Sequence, residues 1–387
     1  MEKTHQDKKQ MKVRHLLYPL LLAFLATILL TNCKKEEVDK TVAAKSQKAS
    51  PVNGDRLTLV FVGDLMQQEA QIKSAMRDSD KYDYSGVFDL VKPEISSADL
   101  AIANLETTFG GKPYKGFPRF CAPDEWLDAI KDCGFDILTT SNNHSMDTGL
   151  EGGVRTLDLL DQANLMHLGT YRNAEERDKN YPLLVEKNGF KLCLLTFSYG
   201  TNNLEVPPPF VVNFIDTATI AKDLEKAKAM QPDAIIALPH TGVEYQKLQS
   251  QSQEDLAQWL FDHGADHIIF GHPHVVQPLE VRTIHGKRHL LAFSLGNFIS
   301  SQTPLSTNGG IIVKLTLEKN ESGTTMVDCD YTLTWLSSPF LSGKNVFKIY
   351  PENHPTDQLN YLEKERRKLV LDALHALMEK HNKGFED

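Results

Sequence analysis

Side chains able to bind metal ions or move protons recur in six stretches between residues 64 and 297. Asp64 stands in FVGDLM, Asn104 and Glu106 in ANLETTF, and Asn142, Asn143, His144 and Asp147 in SNNHSMDTG. His240 and Glu244 stand in PHTGVEYQ, His272 and His274 in GHPH, and Asn297 in SLGNF. Carboxylates, amide oxygens and imidazoles together suit Mn²⁺, Zn²⁺ or Fe rather than a thiolate-bound ion. Singly, each has a plain structural use: Asp64 as a helix cap, Asn142 and Asn143 as turn residues, and a lone His as a hydrogen-bonded core residue. Pro273 between His272 and His274 predicts an extended segment that sets two imidazoles in fixed directions.

The elements around these residues decide between the two readings. Each group follows an apolar, β-branched run of strand length: LTLVFVG, DLAIANLE, FDILTTS, DAIIALPH, DHIIFG and HLLAFSLGN. Between the runs lie helical patterns at 67–80, DEWLDAIKDCG, GGVRTLDLLDQAN, TIAKDLEKAKAM and QEDLAQWLFDHG, two of them stopped by Gly134 and Gly264. HLGTY and KLCLLTFSY add strands, and GGIIVKLTLE with TMVDCDYTLTWLS predicts a closing hairpin. Repeated strand–helix units followed by antiparallel strands give an α/β class. Open α/β sheets place ligands at the carboxyl ends of their strands. Independent caps and turns would not gather there, so the cluster reads as one convergent site.

The chain has 387 residues, with 41% hydrophobic and 24% charged residues, which excludes collagen-like and wholly disordered classes. The formal net charge of −9 argues against a nucleic-acid partner bound through counterion release. A basic stretch with Lys8, Lys9, Lys12 and Arg14 precedes the apolar run Leu16–Leu30, which is shorter than the roughly 20 residues of a spanning helix. That run ends near Cys33, in the pattern of a bacterial lipoprotein signal, although Asn32 departs from the usual small residue. The expected organisation is a signal peptide over 1–32, lipidation at Cys33, a flexible polar tether over 33–55, one domain over 56–340 and a C-terminal extension with an amphipathic helix over 341–387. It predicts export and lipid anchoring in the cell envelope. Cys121, Cys133, Cys193 and Cys329 lack any CxxC spacing, which excludes a zinc knuckle; Cys121–Cys133 is the one pairing considered, against buried free thiols.

Seven stretches in order, the six above with FSYGTN, resemble the bacterial CapA family of poly-γ-glutamate capsule synthesis, within the calcineurin-like metallophosphatase superfamily. The resemblance runs from about Arg56 to Gln302. It implies a four-layer sandwich, two mixed sheets flanked by helices, with one or two divalent ions at the strand ends. It also implies Asp64, Glu106, Asn143, His240, His272 and His274 as metal ligands. His144 with Asp147 would be the catalytic pair, and Asn104, Asn142, Glu244 and Asn297 would face substrate. Met66 stands where the superfamily places a His ligand, and Glu106 where it places an Asp. The implied activity is a metal-dependent hydrolase, with a non-catalytic polymer-binding or export accessory role as the alternative. The implied partners are an anionic polymer or small-molecule substrate, the membrane, and capsule synthesis or export proteins.

Overall fold

The structure is a computed structural model, described here for residues 55–78 and 80–385. The signal peptide, Cys33 and nearly all of the tether lie outside the described residues. In chain order the strands are β1 (Arg56–Leu65), β2 (Met76–Asp78), β3 (Lys81–Tyr82), β4 (Leu100–Leu105), β5 (Ile137–Thr139) and β6 (Met166–Leu168). Next come β7 (Thr170–Tyr171), β8 (Leu183–Lys187), β9 (Phe190–Ser198), β10 (Val211–Val212), β11 (Ala234–His240) and β12 (His267–Ile269). Last are β13 (Leu279–Ile284), β14 (Lys287–Ala292), β15 (Asn297–Ile299), β16 (Gly309–Asn320), β17 (Gly323–Ser337) and β18 (Lys348–Pro351).

Two sheets form the body. The first runs β18-β17-β16-β1-β4-β5-β6, with β15 paired to β1; the second runs β13-β14-β12-β11-β9-β8. Both are mixed: β1, β4, β5 and β6 run parallel while β16 to β18 are antiparallel, and β9, β11, β12 and β14 run parallel between antiparallel edges. The two-residue period of β1 explains its continuous apolar run. Leu57, Leu59 and Phe61 join one core with residues of the second sheet such as Leu194 and Ile236. Val60 and Val62 point the other way, into a core with Ile95, Trp126 and Ile130 from the helices Lys92–Ser97 and Glu125–Cys133. The helices Thr217–Ala229 and Gln251–Asp262 bring Leu224 and Leu260 to the core of the second sheet. The expected sandwich of two mixed sheets flanked by helices is therefore present.

Two local expectations change. The helix over 67–80 is only Glu69–Ala75; beyond it β2 pairs with β3, because Asp78 and Asp80 favour a turn over another helical turn. The first sheet also continues past residue 340, since β18 pairs with β17. The last helix, Tyr361–His381, starts from an Asn360–Glu363 capping box, and Ser337 of β17 donates to that Glu363 (2.8 Å). Cys121, Cys133, Cys193 and Cys329 are all free thiols, so no Cys121–Cys133 bridge forms. Among the described residues no helix is long and apolar enough to cross a membrane.

Candidate metal centre

The parallel strands deliver their polar residues to one rim. β1 carries Asp64, β4 carries Asn104 with Glu106 just beyond, β11 ends on His240, and β15 begins on Asn297. Gly63 makes part of this arrangement obligatory: a Cβ there would lie 1.7 Å from the Gly296 carbonyl oxygen. That close approach lets Asp64 N–H donate to Gly296 (3.1 Å) and sets Asp64 opposite Asn297.

Glu106 is fully buried at the middle of the cluster. Its Oε1 lies 3.6 Å from His274 Nε2, and its Oε2 lies 3.9 Å from His240 Nε2. The carboxylate thus faces two imidazoles, one with each oxygen. On the first side, Asp64, Glu106 and His274 offer ligand atoms within 4.8 Å of one another. Asp64 Oδ2 and Asn297 Oδ1 lie 3.1 and 3.0 Å from His274 Nδ1, which fixes that nitrogen as the donor and leaves Nε2 to bind an ion. On the second side, His240 Nε2 lies 2.8 Å from Asn143 Oδ1, and the rings of His240 and His272 are 5.1 Å apart. The expected ligands Asp64, Glu106, Asn143, His240, His272 and His274 are brought together. Met66 is buried and supplies no nitrogen donor.

The electrostatics of the centre fit a divalent cation. Burial, then the neighbouring Asp64 charge, pushes Glu106 well above the usual carboxylate range. Burial also acts upward on Asp64, but the hydrogen bond and charge of His274 outweigh it and hold that group low. Burial and the other imidazoles drive His240 well below its ordinary value and His272 down to about 3. Glu106 Oε1 and His272 Nδ1 are buried without a hydrogen-bond partner. Each such orphan costs about 1–3 kcal/mol. A divalent ion would satisfy both and neutralise the paired carboxylates, so the residues fit the metal that the motifs imply.

The HPH segment is not extended as Pro273 suggested. His272 (φ 103°) and His274 (φ 59°) both adopt left-handed backbone, a costly conformation that concentrates where a site is being shaped. Gly271 helps, because a Cβ there would crowd His240 Nδ1 (3.2 Å) and Asp64 Oδ1 (3.4 Å).

His144 and Asp147 lie together beside the ligands. Asp147 Oδ2 is 2.7 Å from His144 Nδ1 and also accepts the Phe120 N–H. The other expected residues divide. Asn104 spends its amide N–H groups on Asp64 (2.8 Å) and Glu106 (3.1 Å), and its oxygen accepts from Thr139 and Asn142. Asn142 is likewise occupied by Leu105 and the His144 N–H, and Asn297 by His274, Ser300 and Gln302. Asn104 and Asn297 thus hydrogen-bond expected ligands directly, and Asn142 reaches them through Asn104. Glu244 is exposed, on the loop that follows β11.

The sequence reading passed over the aromatic residues at the mouth. The Tyr199 ring lies 4.6 Å from His272, and its hydroxyl donates to Asn202 Oδ1 (3.3 Å), which also accepts from the Asn143 amide (3.4 Å). Tyr245 lies 6.2 Å from His274 and accepts from Gln302 (3.4 Å). Burial, then Glu244 and Glu106, pushes Tyr199 up to about 12, so its phenol stays protonated. FSYGTN and PHTGVEYQ contain both tyrosines, but a search for metal donors does not select aromatic rings.

Residues 58–302 match the bacterial capsule synthesis protein family PGA_cap. The chain belongs to this family. It is similar to the capsule biosynthesis protein CapA of Bacillus anthracis, 27% identical over 338 residues, covering 83% of this chain and 77% of that protein. The PGA biosynthesis protein CapA of Bacillus subtilis (strain 168) is 27% identical over 292 residues, covering 72% and 73%. Among solved structures, the calcineurin-like phosphoesterase YfkN from Bacillus subtilis has a TM-score of 0.44 at 17% identity, covering 83% of this chain and 97% of that one. The Haemophilus influenzae NAD nucleotidase has a TM-score of 0.45 at 14% identity, covering 86% and 64%. The family read from the seven motifs is thus the family shown. All six proposed metal ligands fall inside the matched residues.

Proposed function

We propose that this chain is a metal-dependent hydrolase of capsule or poly-γ-glutamate biosynthesis, acting on a phosphoester or related bond. The observation that carries the reading is Glu106, buried with one oxygen facing His274 and the other facing His240. Asp64, Glu106 and His274 would hold one ion, and Asn143, His240 and His272 would hold, with Glu106, either a second ion or one shared ion. Mn²⁺, Zn²⁺ or Fe suits this donor set. When bound, such an ion lowers the pKa of its water towards about 7 and polarises the scissile centre.

The chain's own groups do the rest. Asp147 holds the Nδ1 side of His144, leaving Nε2 to give a proton to a leaving group or to bind a developing oxyanion. Asn104 and Asn297 keep Asp64, Glu106 and His274 aimed, and Tyr199 shields one face of His272. The substrate would be an anionic polymer or a small molecule. Lipidation at Cys33 would tether the domain to the cell envelope, near capsule synthesis or export proteins.

A second reading, a polymer-binding accessory protein without turnover, draws on Met66, which leaves the first side with only three side-chain donors. One experiment separates the two. The full chain is loaded with Mn²⁺, its metal content measured, and bis-p-nitrophenyl phosphate and p-nitrophenyl phosphate supplied. The hydrolase reading predicts at least one equivalent of metal and turnover that His272→Ala abolishes. Metal binding with no turnover of either ester would favour the accessory reading. For the anchor, Cys33→Ser should move the protein from the membrane to the soluble fraction; retention would contradict it.

A further inference from the structure

Next to the HPH loop lies an apolar groove that the proposed catalysis does not use. It is an open cavity of about 260 Å³ between the last helix and the loops following β11, β12 and β15. For scale, a dry apolar cavity of roughly 150 Å³ accepts benzene. Val275 lies on the loop side, Leu305 on the short 3₁₀ turn Leu305–Asn308, and Leu369, Ala373 and Leu377 on the helix. Val275 follows the ligand His274 directly, so the groove shares a wall with the centre. Leu369 is 56% exposed, so this apolar wall is open to solvent.

One cation marks the rim. Lys247 lines the groove, is exposed, and has no carboxylate partner among the described residues. Its backbone is held in place: the buried Gln277 amide donates to the carbonyls of Gln246 (2.8 Å) and Leu248 (3.1 Å) on either side. The charge therefore sits on a braced loop rather than a free one.

We infer that this groove binds a single-chain anionic amphiphile, with its alkyl chain along the last helix and its acidic head at Lys247. From Leu369 to Leu377 the helix rises about 12 Å at 1.5 Å per residue, the reach of a medium-length alkyl chain. A peptide would bring amide groups into a lining that offers little beyond the Ser306 hydroxyl to pair them, whereas an alkyl chain brings none. The lone cation selects an anion over an alcohol or an amine.

The test is calorimetric titration of the full chain with dodecanoate, independent of any substrate assay. Saturable binding is expected, about 15-fold weaker for decanoate because each buried methylene is worth about fourfold in affinity. Lys247→Glu should weaken dodecanoate by about tenfold while leaving dodecanol unchanged. Ala373→Trp, at an exposed helix position that leaves the fold intact, should fill the groove and abolish binding. His272→Ala should leave binding unchanged, which separates this site from the metal centre. No saturable binding, equal binding of dodecyltrimethylammonium, or persistence in Ala373→Trp would overturn the inference. So would a dimer that Ala373→Trp dissociates, since a second copy would then be the occupant.

Discussion

Two histidine-rich regions occupy opposite ends of the same parallel strands, and they differ in what their polar atoms touch. At the amino end of β12, His267 accepts the Leu290 N–H at Nδ1 (3.0 Å), and His289 Nδ1 lies 2.7 Å from the Asp266 carbonyl oxygen. Asp266 itself accepts the Ile235 N–H (2.8 Å). Beyond the carboxyl end, His272 Nδ1 and Glu106 Oε1 are buried with no partner. Burial, with a neighbouring imidazole, lowers both His267 and His272 to about 3. A shifted histidine is therefore no sign of function by itself. The sign is that unpaired atoms gather beside other ligand-type groups: Glu106 Oε1 lies with Asp64 and His274, and His272 beside His240. His167 Nδ1, also unpaired, stands outside any such cluster.

Substitutions in the two regions should separate sharply. The largest effect is expected for Glu106→Gln and His272→Ala: metal binding falls below detection by calorimetry and ester hydrolysis drops to background. Glu106→Gln should also raise the thermal midpoint of the metal-free protein, because it removes one of two adjacent buried carboxyls. A lower midpoint would mean that Glu106 serves the fold and not an ion.

His144→Ala comes next. It should keep full metal content yet slow turnover about 10²- to 10⁴-fold, measured under saturating metal. Loss of metal along with turnover would make His144 a ligand instead. Asn297→Ala should cost about 10- to 100-fold in metal affinity through loss of the brace on His274 Nδ1. An unchanged affinity would show that Asp64 alone orients that ring.

The smallest functional effect belongs to the other end. His267→Phe should lose about 1–3 kcal/mol of stability, since the Leu290 N–H is left unpaired, with metal affinity unchanged. The pH dependence has a definite sign. His267 titrates at about 3 in the folded chain against an ordinary value of 6.5, so the unfolded chain binds the extra proton between those limits. Its contribution is complete above about pH 6.5 and is lost as pH falls towards 3. Urea midpoints of His267→Phe should therefore vary less over that window than those of the wild type.

Much of this was legible in the chain itself. Continuous apolar runs located β1, β4, β9, β11 and β12, because strands buried on both faces leave a continuous signal. β8, β10 and β13 were not legible. β8 and β13 are only half-buried, and β10 is two residues long, too short for any periodicity. The ligand residues could be found because hard donors at strand ends form a pattern. The hydrogen-bond partners of Asn104, Asn142 and Asn297 could not, since an amide's type and spacing do not say which groups it will meet in the fold. Left-handed backbone at His272 and His274 ran against the expectation from Pro273, and only the neighbouring contacts explain it.

The most direct test is an anomalous diffraction map from crystals of the full chain loaded with Mn²⁺. The account predicts a peak bounded by Asp64, Glu106 and His274, with any second peak on the His240–His272 side of Glu106. A map with no peak there, in protein that still hydrolyses ester, would contradict it.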